Sequence, residues 1–106
     1  MANKPQVVTY DSTGTGASTG YASFPTGVSQ AYVSVDNPTT SVVQVAKLQA
    51  SVGGSGNWFD ISAGQTLSTT VTTWPSTVTA VFDRVRINVT TPTTNTGTHS
   101  AYIIAK

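Results

Sequence analysis

Arg84-Val85-Arg86-Ile87-Asn88-Val89-Thr90 alternates without a break, with apolar side chains at 85, 87 and 89 and polar ones at 84, 86, 88 and 90. Successive side chains of an extended chain point to opposite faces. This register therefore puts Val85, Ile87 and Val89 on a buried face and sets Arg84 and Arg86 side by side on the other. A helical period would scatter both sets around an axis. The stretch reads as a half-buried β-strand, and the rest of the chain can be read outward from it.

Upstream, residues 78–82 lead into the strand. Downstream, 91–97 (Thr-Pro-Thr-Thr-Asn-Thr-Gly) supply Asn and Gly for a hairpin-type connection. The last strand, 99–105, sets His99, Ala101, Ile103 and Ala105 against Tyr102 and Ile104. Nearer the start, 6–10 is a strand and 11–20 a Ser/Thr/Gly-rich loop, with residues 1–5 expected to be flexible. A short strand at 21–24 ends at Pro25-Thr26-Gly27, a turn signal. Residues 28–35 alternate, with Ala31, Val33 and Val35 opposite Gln30, Tyr32 and Ser34, and 36–39 (Asp-Asn-Pro-Thr) form a turn. The run 41–52 changes phase around Val45–Ala46, which predicts a bulge or partial burial of both faces. Residues 53–57 are a loop, 58–62 a strand, and 65–73 one further strand that Pro75 ends.

About eight short strands at intervals near ten residues, with no helix-period segment, predict one all-β domain over 1–106. The expected fold is a two-sheet antiparallel β-sandwich, jelly-roll or immunoglobulin-like, with no significant helix. Composition agrees. Val, Ile, Thr, Tyr, Phe and Trp supply 47 of the 106 residues, the good helix formers Ala, Leu, Lys, Gln, Arg and Met only 23, and Glu is absent. Area scaling gives a folded surface of roughly 5,600 Å², enough burial for a modest core without staples.

The exterior is unusual. Charged residues number nine, 8% against about 25% in an ordinary globular chain, while Thr (20) and Ser (12) take their place. Surfaces with little net charge have little self-repulsion and tend to associate. Lys4, Lys47, Arg84, Arg86 and Lys106 are scattered, so no basic field for nucleic acid is expected. No apolar run reaches the length of a membrane span. The opening Met-Ala-Asn-Lys-Pro leads into polar sequence, so a protein made in the cytoplasm without a signal peptide is expected.

The residue inventory narrows the chemistry. With one histidine, His99, and no cysteine, zinc has no ligand set. Asp11, Asp36, Asp60 and Asp83 are about 25 residues apart in turn-like contexts, unlike the clustered ligands of a calcium loop. Gly53-Gly54-Ser55-Gly56 lacks the Lys and following helix of a phosphate loop. Asn88-Val89-Thr90 matches a glycosylation sequon, which has no role without secretion. No catalytic residue, cofactor or metal site is therefore assigned, and no enzyme activity is expected. Aromatics remain. One of Trp58 and Phe59 must point inward, Phe82 and Tyr32 are assigned to the core, and Trp74 before Pro75 is the exposed contact candidate. Val7, Val8 and Tyr10, an apolar strand ahead of a flexible loop, are candidates for an arm that adds to a partner's sheet.

Two stretches carry a resemblance. Leu48-Gln49-Ala50-Ser51 with Gly56-Asn57-Trp58-Phe59-Asp60-Ile61 forms a strand, a Gly-rich turn and an Asn-Trp return, and Phe82-Asp83-Arg84-Val85-Arg86-Ile87-Asn88-Val89 follows as an Arg-x-Arg strand. Over roughly 42–105 the chain resembles small β-sandwich virion proteins of tailed bacteriophages, of the head decoration or neck and tail types. The resemblance implies a non-enzymatic structural protein carried in the virion, most simply a capsid decoration or cement subunit. Its partners would be other virion proteins, the major capsid protein first, and copies of itself, with neither nucleic acid nor membrane. Carbohydrate-binding and discoidin-like sandwiches look similar, so the alternative is a sugar-binding or adhesion module of a phage tail or fibre.

Overall fold

A computed structural model describes residues 5–11, 16–17, 20–36, 44–53, 56–67, 71–75, 80–91 and 98–106. Among them ten strands follow in order: β1 (Gln6–Asp11), β2 (Gly16–Ala17), β3 (Ala22–Val28), β4 (Ala31–Asp36), β5 (Gln44–Ser51), β6 (Phe59–Asp60), β7 (Gln65–Leu67), β8 (Val71–Pro75), β9 (Phe82–Thr91) and β10 (Thr98–Ala105). No described residue is helical. The first sheet has the order β1-β10-β4-β8. In the second, β9 and β5 are central, with β2 and β3 both along β9 and β6 and β7 both along β5. Every pairing is antiparallel.

The pairing distinguishes between the two expected topologies. With β2 and β3 counted as one position, and β6 and β7 as another, the chain has eight positions, joined as first to eighth, second to seventh, third to sixth and fourth to fifth. That is a long antiparallel ribbon folded on itself, the jelly-roll arrangement. An immunoglobulin domain would set its first two strands side by side. Here β1 and β2 lie in different sheets.

The deciding strand holds its register. Val85, Ile87 and Val89 are buried, and Arg84, Arg86 and Asn88 face outward. Phe24, Phe82, Leu48, Ile61, Ile87, Ile103, Val33 and Val35 are the largest fully buried side chains. Burying each of the larger apolar ones is worth about 1.5–3 kcal/mol. The accessible surface, 5490 Å², is close to the value scaled from chain length. The phase change in β5 is a bulge. Val45 pairs with Thr91 and Ala46 with Val89, so Thr90 is skipped, and its hydroxyl donates to the Val45 carbonyl at 3.2 Å.

Several expected boundaries differ. The signal at Pro25-Thr26-Gly27 does not end a strand, because β3 continues to Val28 through an irregularity between Ser23 and Val28. Pro25 has no N–H to contribute to a ladder, and Gly27 takes φ +75°, which lets the chain kink and resume pairing at Val28 and Phe82. The single strand expected at 65–73 is two: β7 joins the second sheet and β8 the first. The 11–20 loop begins later than expected, since Asp11 still pairs with Thr98, and Gly16–Ala17 pair with Val89 and Asn88. The expected turns at 37–39 and 92–97, Val42, Val43, Thr69 and residues 1–4 lie outside the described residues.

The sheets are tied at their open ends. Gln6 sits at the inward parity of β1 and reaches across to β3: its Nε2 donates to the Ser23 carbonyl, and its Oε1 accepts from the Ser23 N–H at 2.9 Å. The Lys106 carbonyl accepts from the N–H groups of Ser29 and Gln30, and the Lys106 N–H donates to the Gln30 carbonyl. The strand ending at Ala105 is thus fastened to the β3–β4 turn.

Candidate functional site

With the inner faces committed to the core, the two outer sheet faces are where function can reside. On the second sheet, β9 presents Arg84 and Arg86 two residues apart. Arg86 pairs across with Gln49 of β5, and Gln49 with Asp60 of β6. Their side chains form one relay. Arg86 Nε donates to Gln49 Oε1 at 2.9 Å, Gln49 Nε2 donates to Asp60 Oδ1 at 3.1 Å, and Lys47 Nζ donates to Asp60 Oδ2 at 3.2 Å. The Gln49 hydrogen bond, the largest influence, together with the Lys47 hydrogen bond and charge outweighs desolvation and holds the Asp60 carboxyl below its ordinary range.

Two aromatic rings complete this face. The Arg86 guanidinium carbon lies 4.0 Å from the Trp58 ring centroid and that of Arg84 lies 4.8 Å from the Tyr21 centroid. The two rings are 5.9 Å apart and tilted by 55°. Both guanidiniums are half-buried, and desolvation lowers the pKa of Arg86 without discharging it. Among the described residues, neither arginine pairs with a carboxylate, because the one ion pair is Lys47–Asp60.

The outer face of the first sheet is of another kind. Val7 pairs across with Tyr102, and Ile104 with Tyr32. Val7 is 58% exposed, Tyr102 46% and Ile104 42%, and Tyr32 is half-buried beside them. Among the described residues its cation is Lys106, 5.5 Å from the Tyr32 ring centroid, and the Tyr32 hydroxyl donates to Gln30 Oε1. Pro75, paired with Tyr32 at the end of β8, is also exposed.

These positions revise the sequence assignments. Val8 and Tyr10 are core residues, so the arm of Val7, Val8 and Tyr10 is corrected: β1 is bound along β10 and its inward side chains help fill the sandwich. Burial raises the Tyr10 phenol well above its ordinary range. Val7 alone of the three faces solvent. Trp74 lies on β8, its backbone paired with Val33, and its expected ring contact falls outside the described features. Phe59 is the inward member of the Trp58–Phe59 pair, packed against the core. Tyr32, assigned to the core, is on the outer face, as its place opposite Ala31, Val33 and Val35 requires. Tyr21 was not singled out, although an aromatic next to a strand facing an Arg-x-Arg segment was the available signal.

Asp83 has a structural task, accepting from the Gly53 N–H at 3.1 Å in the turn after β5. Among the described residues, no three His or Asp side chains gather as metal ligands. No described helix is long and apolar enough to cross a membrane. Comparison with protein-family models, curated proteins and solved structures gave no match.

Proposed function

We propose that this chain is a non-enzymatic structural subunit of a bacteriophage virion, a capsid decoration or cement protein that docks through the outer face of its first sheet. The observation that carries the reading is the exposed row Val7, Tyr102 and Ile104 on two adjacent strands, gathered on one sheet face apart from the other exposed large apolar side chains described, Tyr21, Val52 and Val81. Three large apolar side chains exposed together on paired strands favour burial against a partner. The jelly roll supports the reading by fold-level analogy alone, since viral capsid domains and lectins both use it. The resemblance of the 48–61 and 82–89 stretches to tailed-phage virion proteins adds the particle as the place of assembly.

With nine charges in the chain, the hold must come mainly from apolar burial and neutral hydrogen bonds. A standard interface buries about 800 Å² per partner, so repetition over a symmetric shell would supply avidity. The test is quantitative mass spectrometry of purified particles before and after washing in rising salt. At 1 M salt the Debye length falls to about 3 Å, which screens exposed ion pairs and spares apolar contacts. The expected result is many copies per particle, retained through 1 M salt. Absence from particles would overturn the virion assignment, and release by salt would overturn the apolar docking.

A further inference from the structure

We propose that the outer face of the second sheet is a binding site for an acidic saccharide, a sugar bearing a carboxylate. It is separate from the docking face and does not depend on the virion reading. Arg84 and Arg86 lie on the same side of β9, roughly 6.6 Å apart along the strand. Each guanidinium is laid over an aromatic ring, and Arg86 Nε is fixed by Gln49. A stacked arginine tethered at Nε keeps its terminal N–H groups in a set plane, and a planar carboxylate accepts from such a fork through two parallel hydrogen bonds. Among the described residues, no carboxylate takes that position on either arginine. Two half-buried cations are thus held with no carboxylate on them among the described side chains, so an incoming anion would gain a partner already in place.

The rest of the face selects what carries the anion. Asp60 is exposed beside the arginines, its charge maintained by Gln49 and Lys47. A carboxylate there repels a run of acidic residues, yet accepts hydrogen bonds from sugar hydroxyls. Tyr21, 44% exposed, and the tilted Trp58 ring give apolar surface for the C–H side of a pyranose. A neutral sugar is disfavoured, because it brings no carboxylate to the two guanidiniums. One carboxylate, several hydroxyls and a C–H face are the features of a uronic acid residue within an oligosaccharide.

The experiment is isothermal titration of the full chain with an aldobiouronic acid, a disaccharide carrying a single uronate, and with its methyl ester, which keeps the sugar and removes the charge. The acid form should bind saturably, and the ester at least tenfold more weakly. Arg84→Gln and Arg86→Gln, tested singly, should each weaken binding of the acid form at least fivefold while melting near the parent temperature. Should Arg86→Gln fail to fold, Arg84→Gln decides alone, since Arg84 lies outside the Gln49 relay. Equal binding of acid and ester, no binding of the acid form, or unchanged binding by a folded Arg84→Gln variant overturns the proposal. An acidic peptide that binds as tightly as the acidic disaccharide overturns the saccharide assignment.

Discussion

The two outer faces of this sandwich are built on similar antiparallel frames and end in opposite chemistry. On the first sheet, Val7, Tyr102 and Ile104 stand exposed, with one cation at the margin over Tyr32. On the second, arginines cover the rings and a four-residue relay links Arg86, Gln49, Asp60 and Lys47. Both sheets turn small and branched apolar residues inward, the second adding Phe24 and Phe82 and the first Tyr10. The difference lies in the outward half of each alternating pattern, the half that folding leaves free. What varies between the faces is therefore their exposed chemistry, and the two proposed contacts rest on that difference.

The largest effect expected separates inside from outside on a single strand. Val8 and Val7 are neighbours on β1, one in the core and one in solvent. Val8→Asp buries an unpaired carboxylate and should cost several kcal/mol, enough to abolish folding or lower the melting temperature drastically. Val7→Asp should change stability by about 0.5 kcal/mol or less. Chemical denaturation of the two variants checks this, and equal losses would place β1 outside the core. The same logic on β9 expects several kcal/mol from Val85→Asp and about 1 kcal/mol or less from Arg84→Ala.

A smaller effect follows from Tyr10. Its phenol is kept neutral by burial, whereas the unfolded chain ionises it near pH 10. Above that pH the native state holds the proton that the unfolded state releases, so stability falls as pH rises. Denaturation at pH 8 and pH 11 should show a larger loss for the parent chain than for Tyr10→Phe.

These contrasts bear on how much was legible in the sequence. Strict alternation at 84–90 was enough to set that strand's core face, because a one-residue slip would turn every apolar side chain to water. By contrast, 101–105 is apolar or aromatic on both sides, and its inward face emerges only from the packing. The bulge at Val45–Ala46 was legible for the same reason. The split of 65–73 was not: a chain crossing between sheets keeps its alternation, and only pairing reveals which sheet each half joins. The arm failed because the Ser, Thr and Gly that follow say little about Gln6, whose amide clasp on Ser23 is a contact across 17 residues. The site was half legible. That Arg84 and Arg86 share a face could be read from period two, but Tyr21 and Trp58 come to them from the residues just before β3 and β6.

The smallest expected effect concerns the second sheet's ion pair. Asp60 is ionised more readily in the folded chain, so its stabilisation is full above the unfolded value near pH 4 and is lost as pH falls through the lower folded value. Because both partners are well exposed, the whole contribution should be a fraction of a kcal/mol, reduced further by salt. Asp60→Asn should remove that acid dependence and leave neutral-pH stability nearly unchanged, as thermal melts at pH 3 and pH 7 would show.

The central claim is the division of labour between the faces, and the most direct measurement is retention on purified particles of two double variants compared in parallel. One carries Val7→Asp with Tyr102→Asp on the first sheet, and the other carries Arg84→Gln with Arg86→Gln on the second. Circular dichroism first establishes that both are folded. The account predicts that the first variant is lost from the particles while the second is retained at the parent level. Retention of the first with loss of the second would contradict it.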